Sequence, residues 1–218
     1  MRIQYLWCLI ESVMKKLWFM ILLALSFACS KDESKESIVS RDDYFPNTPG
    51  TTWTYDGPLE GTMVVTSERK TFGDKVYSEL VQEGAQSGAS YLNKGSGDYY
   101  LRGFAGLGEI DLLVLKDDVD EGATWDQNIT YQGTSAKVYY TLSQKNIEET
   151  IDGETFNNVI VVEVNVTTSA FGSALTVAAL TFHFGKGVGI VRIETDYEVL
   201  TGLSGFNGTT DLVDYTIE

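Results

Sequence analysis

The chain has 218 residues, 31 acids against 16 bases for a formal charge of −15, 43% hydrophobic residues and a single histidine. So negative a balance excludes the clustered Lys and Arg that nucleic-acid phosphates require, and it argues against lying flat on anionic lipid. One histidine and two cysteines leave no ordinary zinc site and little material for a catalytic triad.

In chain order, the first feature is an apolar run, Leu17 to Ala28, preceded by Lys15-Lys16 and ended by Cys29. The next residues, Ser30-Lys31-Asp32-Glu33-Ser34-Lys35-Glu36-Ser37, are almost all charged or hydroxylic. A basic start, a short apolar stretch and a small residue before the cut make residues 1–28 a signal peptide. The stretch is shorter than the roughly 20 residues that a bilayer-spanning helix needs. Residues 1–13 carry Glu11 and lie upstream of Met14, and they read as a mis-called start rather than a functional segment. Cleavage discards Cys8, leaves Cys29 as the only cysteine, and takes the charge from −15 to about −17 by removing Arg2, Lys15, Lys16 and Glu11. With no disulfide available, the 190 remaining residues must fold on their core alone.

The segment Leu25-Ser26-Phe27-Ala28-Cys29 resembles a bacterial lipoprotein signal. The resemblance implies that the Cys29 thiol is acylated (palmitate), becomes the mature N-terminus, and holds the protein at the outer membrane. Ser26 stands where an aliphatic residue is usual, a relaxation common in the Bacteroidetes. Lys31-Asp32-Glu33 resembles the acidic signal that sends lipoproteins of those bacteria to the cell surface, and it also reads as a plain hydrophilic spacer. Whether the periplasmic face or the cell surface is its home stays open.

Residues 29–43 form the lipidated N-terminus and a disordered tether, with nothing to bury. Residues 44–218 form one all-β domain. Three prolines, 21 glycines and 12 tyrosines point to strands separated by glycine turns. Eleven strands are expected: 51–56, 62–69, 75–83, 89–93, 98–102, 109–115, 136–148, 159–168, 175–184, 189–199 and 209–217. Period-two alternation, as in Val162-Glu-Val-Asn-Val166, means one buried and one wet face, as in antiparallel sheets. The architecture expected is a single antiparallel barrel or half-barrel of LolA or lipocalin type, or a sandwich. Residues 170–179, continuously small and apolar, read as a doubly buried strand or a short helix. Gly50-Thr-Thr-Trp53 recurs as Gly122-Ala-Thr-Trp125, and Phe72-Gly-Asp-Lys-Val-Tyr77 is echoed by Asp152-Gly-Glu-Thr-Phe156. A turn feeding a strand whose Trp anchors the core explains the first pair without a duplication.

Tyr44-Phe45-Pro46 followed by Gly50-Thr-Thr-Trp53-Thr-Tyr55, then Asp152–Val159, then Gly185-Lys-Gly-Val-Gly-Ile-Val191, resembles an uncharacterised group of Bacteroidetes-type lipoproteins. Its motifs are turns and core aromatics, so the resemblance speaks to fold and carries over no catalytic residue. The glycines of Phe184–Ile190 read as a hairpin, because a strand follows where a phosphate loop would need a helix.

Candidate chemistry is sparse. His183, between Phe182 and Phe184, faces away from both and reads as a surface or rim histidine. The loop Asp117-Asp118-Val119-Asp120-Glu121-Gly122 is a weak metal candidate through Asp118 and Asp120. It matches a calcium loop only in part, since Ile129 stands where the bidentate Glu belongs. No carboxylate pair is singled out for glycoside hydrolysis, so no catalytic residue and no cofactor are assigned. Tyr91, Tyr99-Tyr100, Tyr131, Tyr139-Tyr140 and Trp125 would serve as core and girdle or as a binding platform, with neighbouring tyrosines on opposite faces. The function expected is non-catalytic: a membrane-anchored lipoprotein binding a lipid or other apolar ligand, or alternatively a surface glycan-binding or adhesion module using exposed aromatics.

Overall fold

A computed structural model describes residues 43–218 apart from 85–86, 104–108, 132, 170–172 and 198–203. Cys29, the signal segment and the tether as far as residue 42 lie outside the described residues, as does the start of the 170–179 stretch. Alternation sets the architecture. Among the described residues twelve strands form: β1 Thr52–Asp56, β2 Gly61–Phe72, β3 Lys75–Gly84, β4 Gly88–Lys94, β5 Asp98–Arg102, β6 Asp111–Lys116, β7 Thr124–Tyr131, β8 Thr134–Ile151, β9 Glu154–Thr168, β10 Leu175–Gly185, β11 Gly189–Asp196 and β12 Gly208–Thr216. Neighbours pair antiparallel in the order β6-β5-β4-β3-β2-β1-β12-β11-β10-β9-β8-β7. Eleven of these match the expected runs, and β7 is the addition.

The sheet curls into a nearly closed barrel, because its two edge strands meet through side chains. Trp125 Nε1 of β7 donates to the carbonyl of Leu113 on β6 at 2.8 Å, and Leu113 N–H donates to Gln127 Oε1 at 3.1 Å. Gln127 Nε2 completes the seam by donating to the carbonyl of Asp111. The Gln127 amide therefore makes both bonds that a residue of a neighbouring strand would make, which satisfies backbone groups an open edge would leave bare.

Side chains fill the interior. Trp53, Leu80, Leu92, Tyr99, Leu115, Leu142, Val162 and Phe184, from eight different strands, are wholly inaccessible to water. A residue lining a water-sized void would retain accessible surface, so the barrel is solid where these residues meet. Phe45 stoppers the end at which the chain enters, with no exposed surface and its ring 5.3 Å edge-on to Trp53. Around it Gly187 N–H donates to the Asp43 carbonyl at 2.7 Å, Tyr44 N–H donates to the Tyr99 hydroxyl at 3.2 Å, and Asp43 pairs with Lys94 at 2.8 Å. The Phe-Pro segment is thus a plug. The glycine hairpin beyond it is as expected: Gly189 has φ +120°, and a Cβ there would lie 2.8 Å from the Trp53 indole nitrogen.

The sequence echoes fall on corresponding elements. Trp53 is the second residue of β1 and Trp125 the second of β7, each opening a run of six strands. Gly73 and Gly153 sit at the tips of the β2–β3 and β8–β9 hairpins, and both hairpins carry register shifts. The β1–β12 junction, laddered from Thr52↔Thr216 to Asp56↔Asp211, is the counterpart of the β6–β7 seam. This correspondence favours an internal repeat over the simple turn-and-anchor explanation.

Candidate binding site

The barrel has an entrance end, holding the plug and the β10–β11 hairpin, and an opposite mouth. The two halves differ at that mouth. On the first half β1 stops at Asp56, and Leu59 covers the rim with 5% exposure and an N–H bond to Thr210 Oγ1 at 3.0 Å. Gly57 allows this closure, since a Cβ there would lie 2.4 Å from the Thr209 carbonyl. On the second half β7 runs on to Tyr131, and the β7–β8 hairpin stands out as a lip. Behind it lies a groove of about 400 Å³, lined by Ile129 and Thr130 of β7, Ser135 and Ala136 of β8, and Thr168 and Ser169 at the end of β9. The lining is mainly hydroxyls and small side chains. Tyr139, 43% exposed, is not part of the lining but follows Ser135 and Lys137 on the same face of β8, and Tyr131, 39% exposed, ends β7. Lys137, also on the lining, places its ammonium 4.9 Å from the Tyr139 ring centre and 3.1 Å from Asp126.

The tyrosine pairs alternate as expected. Tyr99 and Tyr140 point inward and are buried, whereas Tyr100 is half-buried and Tyr139 exposed. Trp125 stacks on Tyr140 at 5.3 Å and closes the seam, so neither of those two rings joins the exposed platform.

His183 does face away from Phe182 and Phe184, but it is not a surface residue: its side chain is only 13% exposed. Register shifts between Leu142 and Glu149 bend the β8–β9 hairpin, and Glu149 thereby reaches β10 and β11. Glu149 Oε2 lies 2.6 Å from His183 Nδ1, and Glu149 Oε1 accepts from Arg192 Nη1 at 2.9 Å. Arg192 also donates through Nε and Nη2 to both oxygens of Asp211, at 2.6 and 3.0 Å. Each carboxylate of this network is taken up by the guanidinium, whose pKa is raised chiefly by its bonds to Asp211. Charge-assisted bonds of this kind tie four strands together.

The acidic loop is likewise held by its own chain. Asp117 Oδ2 accepts from the Tyr99 hydroxyl at 2.7 Å. Lys145 Nζ donates to the carbonyls of Asp117 and Val119 at 2.9 and 2.6 Å, the backbone oxygens a cation would otherwise use. Asp118 and Asp120 do not converge with a third ligand: among the described residues no group of three or more His, Cys, Asp or Glu is placed to hold a metal ion.

No family model matches this sequence, and no curated protein matches it. Among solved structures, the chain is similar to a candidate lipoprotein from Parabacteroides distasonis ATCC 8503, with 14% identity and a TM-score of 0.49 over 79% of this chain and 98% of that one. It is also similar to a candidate exported protein with a YmcC-like fold from Bacteroides fragilis NCTC 9343, with 12% identity and a TM-score of 0.44 over the same shares of the two chains.

Proposed function

We propose that this chain is a non-catalytic lipoprotein of the bacterial envelope, anchored in the outer membrane through acylated Cys29, that binds a hydroxyl-rich ligand of glycan type at the mouth groove. The filled interior carries this reading. A lipid carrier needs an apolar space, and the inward positions from Trp53 round to Phe184 are already taken by the chain's own side chains. The groove offers hydroxyls for the polar edges of a sugar, and Tyr139, next after Lys137 on that face of β8, offers an exposed ring for its apolar face.

Titration calorimetry of the full protein against neutral hexose oligomers tests this. Tyr139→Ala is expected to weaken binding about tenfold, the loss of roughly 1.4 kcal/mol of ring contact. Thermal stability should stay put, because exposed substitutions move it by only about 0.5 kcal/mol. No binding to any oligomer, or identical affinity in the Tyr139→Ala protein, would remove the groove as the site.

A further inference from the structure

Away from the groove, the outer face of β2–β5 gathers cations over aromatic rings. A register shift between Val65 and Arg69 bends the tip of the β2–β3 hairpin, and its side chains reach β4 and β5. Lys70 Nζ lies 2.6 Å from the Tyr91 hydroxyl and 4.8 Å from that ring's centre, and Lys75 Nζ lies 4.1 Å from the centre of Tyr100. Between them Phe72 packs edge-on against Tyr77 and Tyr91 at 5.4 and 5.1 Å, with the Arg102 guanidinium 4.3 Å from its centre.

The charges here are partnered differently from most others among the described residues. Lys94, Arg102, Lys116, Lys137 and Arg192 each have a carboxylate within ion-pair distance. Arg69, Lys70 and Lys75 have none among the described residues, although acids outnumber bases 31 to 16 in the chain. The corresponding β8–β9 hairpin shows the opposite choice, since its Glu149 joins Asp211 in neutralising Arg192. In the β2–β3 hairpin the ammonium groups of Lys70 and Lys75 rest on tyrosines instead, and Glu79 and Glu68 act on Lys70 only from beyond ion-pair distance.

We infer that this face binds an anionic saccharide, with the Lys70 and Lys75 ammonium groups on its acid group and the Tyr91 and Tyr100 rings against the sugar. A uronate sugar presents an apolar C–H face and a carboxylate at its edge, and a tyrosine beside an ammonium complements both. An anionic bilayer fits less well. It would bring many like charges up to Glu68, Asp74 and Glu79 of the same hairpin at once, whereas a sugar acid brings a single charge to the lysines.

The test is calorimetry of the full protein with tri-galacturonate, a neutral tri-galactoside and phosphatidylglycerol vesicles. The acidic trimer is expected to bind at least about tenfold more tightly than the neutral one, a difference of roughly 1.4 kcal/mol. Lys70→Gln with Lys75→Gln should abolish that preference, and Lys70→Arg with Lys75→Arg should keep it. Equal affinity for the two trimers, no effect of the glutamine pair, or binding to the vesicles alone would overturn the assignment.

Discussion

Replacing Trp53 by alanine is expected to cost about 3–5 kcal/mol, the range for removing a buried aromatic side chain from a packed core. The indole has no exposed surface, donates from Nε1 to the Val188 carbonyl at 2.6 Å, and packs against both Phe45 and Gly189. Its loss would open a cavity, leave the Val188 carbonyl buried without a donor, and loosen the plug that closes the entrance end. Those three effects act at one place, so they do not separate into additive parts. Urea unfolding followed by far-UV circular dichroism measures the change. A loss below about 1 kcal/mol would mean that the ring does not anchor the barrel.

A sharp alkaline unfolding is the second large effect expected. Burial raises the phenol pKa of Tyr55, Tyr99 and Tyr140 above the usual value of 10, and it does the same for Tyr77 with help from nearby Asp111. Their neutral forms are therefore favoured by the fold. The stability they confer is complete below the unfolded-state pKa of about 10 and is lost as the pH climbs toward the raised folded values. Each such tyrosine contributes a slope of about −1.4 kcal/mol per pH unit in that window, so the four together exhaust a typical stability of about 5–15 kcal/mol within roughly one to three units. Tyrosinate absorbance from these residues should appear together with the loss of far-UV circular dichroism. Four tyrosines ionising near pH 10 in a barrel that stays folded would contradict the packing described here.

Most of the fold was legible because the barrel wall obeys alternation. The expected strand at 98–102 matches β5 at both ends, and 175–184 matches β10 to within a residue. β7 escaped because Thr124–Tyr131 carries Asp126, Gln127 and Asn128 in succession, which breaks the apolar–polar rhythm. Gln127 occupies an inward position where the pattern calls for an apolar residue, and it does so because β6 offers it backbone groups to bond. A seam of that kind depends on a partner strand, and strand pairing across the chain is not written in local pattern. The cover over His183, expected at the surface or rim, escapes the sequence for a related reason. Its orientation follows from alternation, but its cover arrives 34 residues away in sequence with Glu149. The Phe-Pro segment, Trp53 and the glycine hairpin were recognised as separate motifs, and the structure shows them as parts of one closure. Alternation does mark Tyr139 as the exposed ring, since Tyr140 shares its parity with Ala136, Val138 and Leu142 while Tyr139 falls with Lys137 and Thr141.

Among the described residues the barrel is filled by its own side chains, which leaves recognition to the surface. Native mass spectrometry of the protein extracted from its own membrane tests this most directly. The expected mass is that of the chain from Cys29 onward with its covalent acyl groups and no further lipid. A stoichiometric, non-covalently held lipid that survives desorption would contradict the filled interior and return the protein to the class of lipid carriers.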